Sequence, residues 1–208
     1  MNIPKINKKR VVILGGGFGG LKLAEKISTK NYQIVLIDRN NYHQFQPLFY
    51  QVATAGLEPS SIVFPYRKIF HNKKDFYFRL GEVLRIEEKE NLLHTSIGKI
   101  EFDYLIIATG ADTNFYGSQN IEKYAFPMKS IQEALQLRNT IFQRFEDAIN
   151  TSDLDKRAKL LTLVVVGGGP TGVEVAGTLA EMKLHIFTKR LSRYGLFSNE
   201  NYIIRRFL

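Results

Sequence analysis

One feature constrains this chain more than any other: an apolar strand that runs into a glycine turn and out into a helix, used twice. The first copy begins with Val11-Val12-Ile13-Leu14, apolar on both faces, as strands inside a parallel sheet are. Gly15, Gly17 and Gly20 follow with G-x-G-x-x-G spacing, interleaved with Phe18 and Gly19, and residues 21–27 read as a helix. Each glycine has its own reason: a sharp turn, close approach of the backbone to a pyrophosphate, and close packing of helix on strand. The helix N-terminus then directs N–H groups and a positive dipole end at that phosphate. The second copy has a strand over 161–166, Gly167, Gly169 and Gly172 around Pro170 and Thr171, and a helix from Val173 onward. A single fingerprint is a weak signal, but two, each with its strand and helix, specify two dinucleotide sites.

In the first copy a second strand, 33–37, ends at Asp38, about 20 residues beyond the glycines. A carboxylate there can accept the ribose hydroxyls of a dinucleotide. A glycine-rich turn in an unrelated α/β protein has no reason to place strand, glycines, helix and acid in register. Two dinucleotides in one molecule point to electron transfer between them, chemistry that resides in the cofactors while the protein positions their rings. That reading requires no acid–base dyad, nucleophile or metal. The four histidines show no metal-ligand spacing.

Residues 39–64 read as a long loop rich in rings and amides, suited to covering a flat, polar-edged ring system or to packing under the sheet. Residues 76–107 alternate like antiparallel strands around Gly81 and an acidic turn at 87–90. The last of these runs ends in Ala108-Thr109-Gly110, small residues at the carboxyl end where ligands of doubly wound sheets sit. Ser130 and Glu133 spell a capping box. Behind it Ile131, Ala134, Leu135, Phe142, Phe145, Ala148 and Ile149 predict the apolar face of a helix. Residues 151–159 read as a polar loop.

A chain of 208 residues, 44% of them hydrophobic, builds one or two domains. It contains no cysteine, which excludes disulfides, thiolate metal sites and cysteine nucleophiles. The net charge of +9 is concentrated late: from Lys183 onward there are six Lys/Arg and one Glu, against 23 and 19 acids in the first 182 residues. No basic stripe is interleaved with aromatics, so a nucleic-acid partner is not expected. No apolar run is long enough to span a bilayer, and residues 1–10 lack the apolar core of a signal peptide, so a cytoplasmic start is expected.

Together these motifs resemble the type II, non-proton-pumping NADH:quinone oxidoreductases, within the two-domain flavin and pyridine-nucleotide reductases. The specific part of the resemblance is Asp38-Arg39-Asn40-Asn41-Tyr42-His43, then Phe45-Gln46-Pro47-Leu48 and Gln51-Val52-Ala53-Thr54. It implies an α/β fold. A Rossmann-like FAD-binding domain with an antiparallel β insertion would cover 1–128, a connecting amphipathic helix and linker 129–160, and the first β-α unit of an NADH-binding domain 161–182. It further implies FAD against Gly15, Gly17, Phe18, Gly19, Gly20, Asp38, Arg39, Asn40, His43, Gln46, Pro47, Leu48, Val83, Ala108, Thr109 and Gly110. NADH would lie against Gly167, Gly169, Pro170, Thr171, Gly172 and Glu174, with Glu174 facing the nicotinamide and flavin as the catalytic candidate. Glu174 also reads, more plainly, as a first-turn carboxylate favoured by the helix dipole.

The activity implied is hydride transfer from NADH to FAD, with electrons passed to a membrane quinone. The alternatives are an inactive or flavin-binding-only fragment, and a soluble NAD(P)H-dependent reductase with a protein acceptor. The absence of redox cysteines sets the chain apart from disulfide and sulfide:quinone reductases. The resemblance stops near Met182, and 183–208 read as an aberrant basic tail. One choice of permitted codons, read one base later from Lys183, encodes a string ending Ile-Ile-Leu-Leu-Glu-Gly-Ser, a buried strand closed by a carboxylate. The expectation is a frameshifted read-through of a C-terminally truncated chain that lacks the quinone site and membrane-binding helices. Whole family members would attach to the inner face of the cell membrane, and this chain would be a soluble or aggregating cytoplasmic fragment.

Overall fold

The computed structural model describes residues 1–182 and the backbone of 204–207. The chain opens with β1 (Lys9–Leu14), α1 (Phe18–Lys26), β2 (Tyr32–Asp38), β3 (Tyr42–Gln44), α2 (Phe49–Ala53), β4 (Val63–Pro65) and α3 (Tyr66–Ile69). Next come β5 (Phe76–Leu80), β6 (Val83–Glu87), β7 (Leu92–Thr95), β8 (Gly98–Glu101) and β9 (Tyr104–Ile107). The remainder is α4 (Gln119–Tyr124), α5 (Ile131–Ile149), α6 (Leu154–Leu160), β10 (Leu163–Val166), α7 (Pro170–Met182) and β11 (Ile204–Phe207). The residues divide into two compact units, one of 1–44 and 63–112, the other of 45–62 and 113–208.

The first unit is built on a parallel sheet in the order β5-β2-β1-β9. Its central strands are covered on both faces, which is why they carry no polar alternation. On one face Val11, Ile13, Ile34 and Leu36 pack with Ala24 of α1 and with Tyr66, Phe70 and Phe78. On the other, Val12, Leu14, Val35 and Ile37 pack with Leu93 and Ile100 of the antiparallel sheet β6-β7-β8. The insertion is thus the second cover of the sheet.

The fold is the Rossmann-like α/β arrangement expected, with local differences. Residues 76–80 do not pair antiparallel: β5 joins the main sheet parallel to β2. Its alternation misled because both faces are apolar, Phe76 and Phe78 lying against Phe70 and Tyr66, and Tyr77 against the opposite cluster. Residues 39–64 are not a structureless loop, since they contain β3, a 3₁₀ turn at Gln46–Leu48, α2, and a second 3₁₀ turn at Pro59–Ser61. β3 also pairs antiparallel with β4. The ring-rich stretch is ordered by its own burial: Phe49, Val52 and Ala53 are among the most buried residues of the chain.

In the second unit, α5 starts at the capping box. Ser130 Oγ accepts the Glu133 N–H at 3.2 Å, and Glu133 Oε2 accepts the Ser130 N–H at 2.9 Å. The buried face of α5 is Ile131, Ala134, Ile141, Phe145 and Ala148. Phe142 is exposed and Ile141 takes its place, because the phase set by Ala134 and Ala148 turns position 142 outward. Residues 154–160 are a helix, not a loop: Asp153 caps it by accepting the Lys156 N–H at 3.0 Å, and its polar surface hid it from hydrophobic periodicity. Ile141, Phe145, Ala148, Leu161, Val165, Leu179 and Met182 form this unit's core. β10 pairs parallel with β11. Of the tail 183–208, everything except that backbone pairing lies outside the described residues, including the segment on which the frameshift expectation rests.

Candidate functional site

At the carboxyl end of β1 the chain turns at Gly15, whose φ of +91° only glycine adopts freely. A Cβ at Gly15 would overlap the Ala108 carbonyl oxygen at the end of β9, and one at Gly20 would overlap the Gly15 carbonyl oxygen. These two glycines are required for close packing of strand, turn and helix. Gly17 and Gly19 differ, with nothing within 4 Å of the position a Cβ would take. Their side of the turn is open, and a ligand can meet bare backbone there. No side chain caps α1 and its first turn carries no acid of its own. That is an arrangement suited to an anionic phosphate group.

Asp38 ends β2 beside this turn. Its Oδ2 accepts the Gly16 N–H at 2.6 Å and its Oδ1 the Asn40 N–H at 2.7 Å. His43, on β3, is buried, and its Nδ1 lies 3.0 Å from the Gly16 carbonyl oxygen. A carbonyl only accepts, so Nδ1 carries the proton. The His43 ring meets Phe18 edge to face with centroids 5.2 Å apart. Ala108 donates its N–H to the Leu14 carbonyl at 2.8 Å, which brings Ala108-Thr109-Gly110 to the same sheet end. Arg39 is exposed beyond Asp38, and Val83 opens β6 at 37% exposure. The first unit therefore gathers Gly15, Gly17, Phe18, Gly19, Gly20, Asp38, Asn40, His43 and Ala108 around one turn. Gln46, Pro47 and Leu48 belong to the second unit, where they form a 3₁₀ turn closed by the Leu48 N–H on the Phe45 carbonyl at 3.2 Å.

Two members of this network carry no signal in the motif. Gly16 lies between the patterned glycines, yet a Cβ there would overlap the phenol of Tyr66. Tyr66 is 2% exposed, and its hydroxyl donates to Asp38 Oδ2 at 3.4 Å. Burial, and then the neighbouring Asp38 charge, push the phenol well above its ordinary range. It therefore stays protonated and remains a donor.

The second turn repeats the first in outline. Gly167 has φ +108°, a Cβ at Gly172 would overlap the Gly167 carbonyl oxygen, and Gly169 faces open space. Pro170 starts α7 and Thr171 is exposed beside it. Because α7 begins at Pro170, Glu174 falls past the first turn, which holds no acid, so the first-turn reading of this carboxylate does not hold. Glu174 is exposed, and its carbonyl accepts the Thr178 hydroxyl at 2.9 Å.

Residues 9–200 match the family described as pyridine nucleotide-disulphide oxidoreductase. Among curated relatives, the type II NADH:quinone oxidoreductase Ndh of Mycobacterium tuberculosis is 43% identical over 184 residues, 86% of this chain and 39% of that protein. NdhA of the same organism is 40% identical, covering 84% of this chain and 38% of its own length. Among solved structures, NDH2 from Plasmodium falciparum in complex with NADH superposes with a TM-score of 0.85 at 28% identity, over 92% of this chain and 41% of that one. The chain thus spans about two fifths of the length of these relatives. With a match that takes in most of its length, the chain belongs to the pyridine nucleotide-disulphide oxidoreductase family.

Proposed function

We propose that this chain carries the FAD cradle and the start of the NADH cradle of an NADH:quinone oxidoreductase that passes hydride from NADH to FAD and electrons to a membrane quinone. The observation that carries the reading is the first turn: Gly15 and Gly20 closed by packing, Gly17 and Gly19 open, and Asp38 beside them. That pattern fits a dinucleotide held by its pyrophosphate and ribose. Similarity to the type II oxidoreductases of Mycobacterium tuberculosis and to NDH2 of Plasmodium falciparum supports the choice of cofactors and acceptor.

In this reading Gly17, Phe18, Gly19 and the α1 N-terminus hold the pyrophosphate. Asp38 accepts from the adenosine ribose with Arg39 and Asn40 flanking it, and Val83 touches the adenine half. Ala108, Thr109 and Gly110 line the groove, and His43, Gln46, Pro47 and Leu48 lie towards the flavin. Gly167, Gly169, Pro170, Thr171 and Gly172 hold NADH, with Glu174 towards the nicotinamide. FAD, when bound, supplies the hydride acceptor and the onward electron donor, and the chain supplies position and shelter from water. The domain limits go with this reading: 1–128 for FAD, 129–160 connecting, 161–182 opening the NADH domain. The whole protein would sit peripherally on a membrane; among the described residues no helix is long and apolar enough to cross one.

A flavin-binding chain without turnover is the second reading. The half-exposed Val164, Val166 and Val173 of the second cradle favour it. Purification of the 208-residue chain with FAD decides between the readings. Retained flavin absorbance that NADH bleaches supports the first, retained absorbance indifferent to NADH supports the second, and a folded chain that takes up no FAD overturns both. Oxidation of the bleached form by a quinone rather than a redox protein tests the acceptor.

A further inference from the structure

The Asp38 carboxylate is already largely occupied. A carboxylate offers about four lone-pair sites. Oδ2 accepts the Gly16 N–H at 2.6 Å and the Tyr66 hydroxyl at 3.4 Å, and Oδ1 accepts the Asn40 N–H at 2.7 Å. One site remains, and it is on Oδ1. Tyr66 is not free to leave Oδ2. It starts α3, its N–H donates to the Asn41 carbonyl at 3.1 Å, and its ring packs on Phe78 with centroids 5.0 Å apart. The same ring fills the space a side chain at Gly16 would need. One phenol therefore braces both the glycine turn and the carboxylate that turn holds.

We propose that Tyr66 is a positioning residue of the first cradle: by occupying Asp38 Oδ2 it leaves Oδ1 alone to accept a single ribose hydroxyl of the bound dinucleotide. The inference rests on the FAD reading of this cradle and adds to it which atom reads the sugar. A carboxylate gripped at both oxygens by fixed donors is preorganised, so little orientational freedom is lost when the sugar arrives.

The test uses the 208-residue chain, FAD, and two FAD analogues that lack either the 2′- or the 3′-hydroxyl of the adenosine ribose. Equilibrium titration of flavin absorbance or fluorescence gives each affinity. The wild-type chain is expected to lose about tenfold against one analogue and little against the other, since one hydroxyl is read. Tyr66→Phe keeps the ring and removes the donor. It is expected to weaken FAD about 3- to 10-fold and the discriminated analogue much less, so that discrimination shrinks. Equal weakening of all three ligands would mark a purely structural role and overturn the proposal, as would unchanged FAD affinity or equal discrimination against both analogues. Asp38→Asn supplies the second arm. If Tyr66 acts through Asp38, adding Tyr66→Phe to Asp38→Asn costs no further affinity, whereas additive losses overturn it. Failure of the wild-type chain to bind FAD at all would be a failure of the underlying reading, seen before any variant is made.

Discussion

The two glycine cradles of this chain share a turn and differ in everything around it. In both, the third glycine touches the carbonyl of the first, and the middle glycine faces open space. At the first, Gly15 also abuts the Ala108 carbonyl, whereas among the described residues nothing comes within 4 Å of the corresponding position at Gly167. The strands that lead in diverge in the same way. Val12 and Leu14 are 0% and 2% exposed, while Val164 and Val166, at the same places before their glycines, are 51% and 54% exposed. The turn is a local object that ten residues can specify. The site is not, because the residues gathered at its turn also come from the end of β2, from β3 and from just past β9, tens of residues away. Only the first cradle has them among the described residues.

The sharpest way to break this comparison is to damage the same glycine in each. Gly20→Ala places a methyl group on the Gly15 carbonyl, a backbone atom with no room to move. It is expected to abolish FAD uptake and to cost about 1–3 kcal/mol or more in stability. Gly172→Ala makes the equivalent clash with the Gly167 carbonyl and is expected to leave FAD uptake unchanged. Flavin content after dialysis, with a denaturant melt on each variant, reads both outcomes. Loss of FAD in Gly172→Ala would mean that the cradles do not act separately.

A smaller effect separates the strands. Leu14→Ala opens a cavity between the parallel sheet and the insertion, and is expected to cost about 2–5 kcal/mol. Val166→Ala trims a half-exposed side chain and is expected to change stability by no more than about 0.5 kcal/mol. Denaturant midpoints at constant slope measure the difference. Similar costs would show that the outer face of β10 is as well covered in solution as that of β1.

What was legible in the sequence follows the same division between local and distant. Gly15, Gly17, Gly20 and Asp38 could be read because strand, turn and acid are fixed by short spacings. The capping box at Ser130 and Glu133 was readable for the same reason. Tyr66 was not: it lies 28 residues from Asp38, and only the placement of α3 against the turn brings its hydroxyl there. The pairing direction of residues 76–80 is not in the run itself, because it depends on β2. The helix at 154–160 escaped because its start is marked by the cap at Asp153 rather than by an apolar stripe. The fingerprint leaves the position of Gly16 free, and the reason it must be small is again the Tyr66 ring.

The finest probe is the insertion itself, the cover of the sheet that carries the first cradle. On its outer side Glu87 of β6 lies 3.0 Å from His94 Nε2 of β7, within hydrogen-bond distance, with Arg85 also on Glu87. The hydrogen bond from His94 holds the Glu87 carboxyl below its ordinary 4.5, and Arg85 adds to this. A carboxyl depressed in the folded state binds fewer protons there than in the unfolded chain. Its contribution to stability is therefore present above pH 4.5 and lost as the pH falls through the lower folded value. Glu87→Gln removes that titration. The wild-type chain should hold a small advantage in melting temperature at pH 6, and the two melting curves should converge as the pH drops below 4.5. Because this sheet covers one face of the parallel sheet whose end carries the first cradle, flavin retention should follow the same convergence. An advantage that persisted unchanged to low pH would mean that the pair does not fasten the cover.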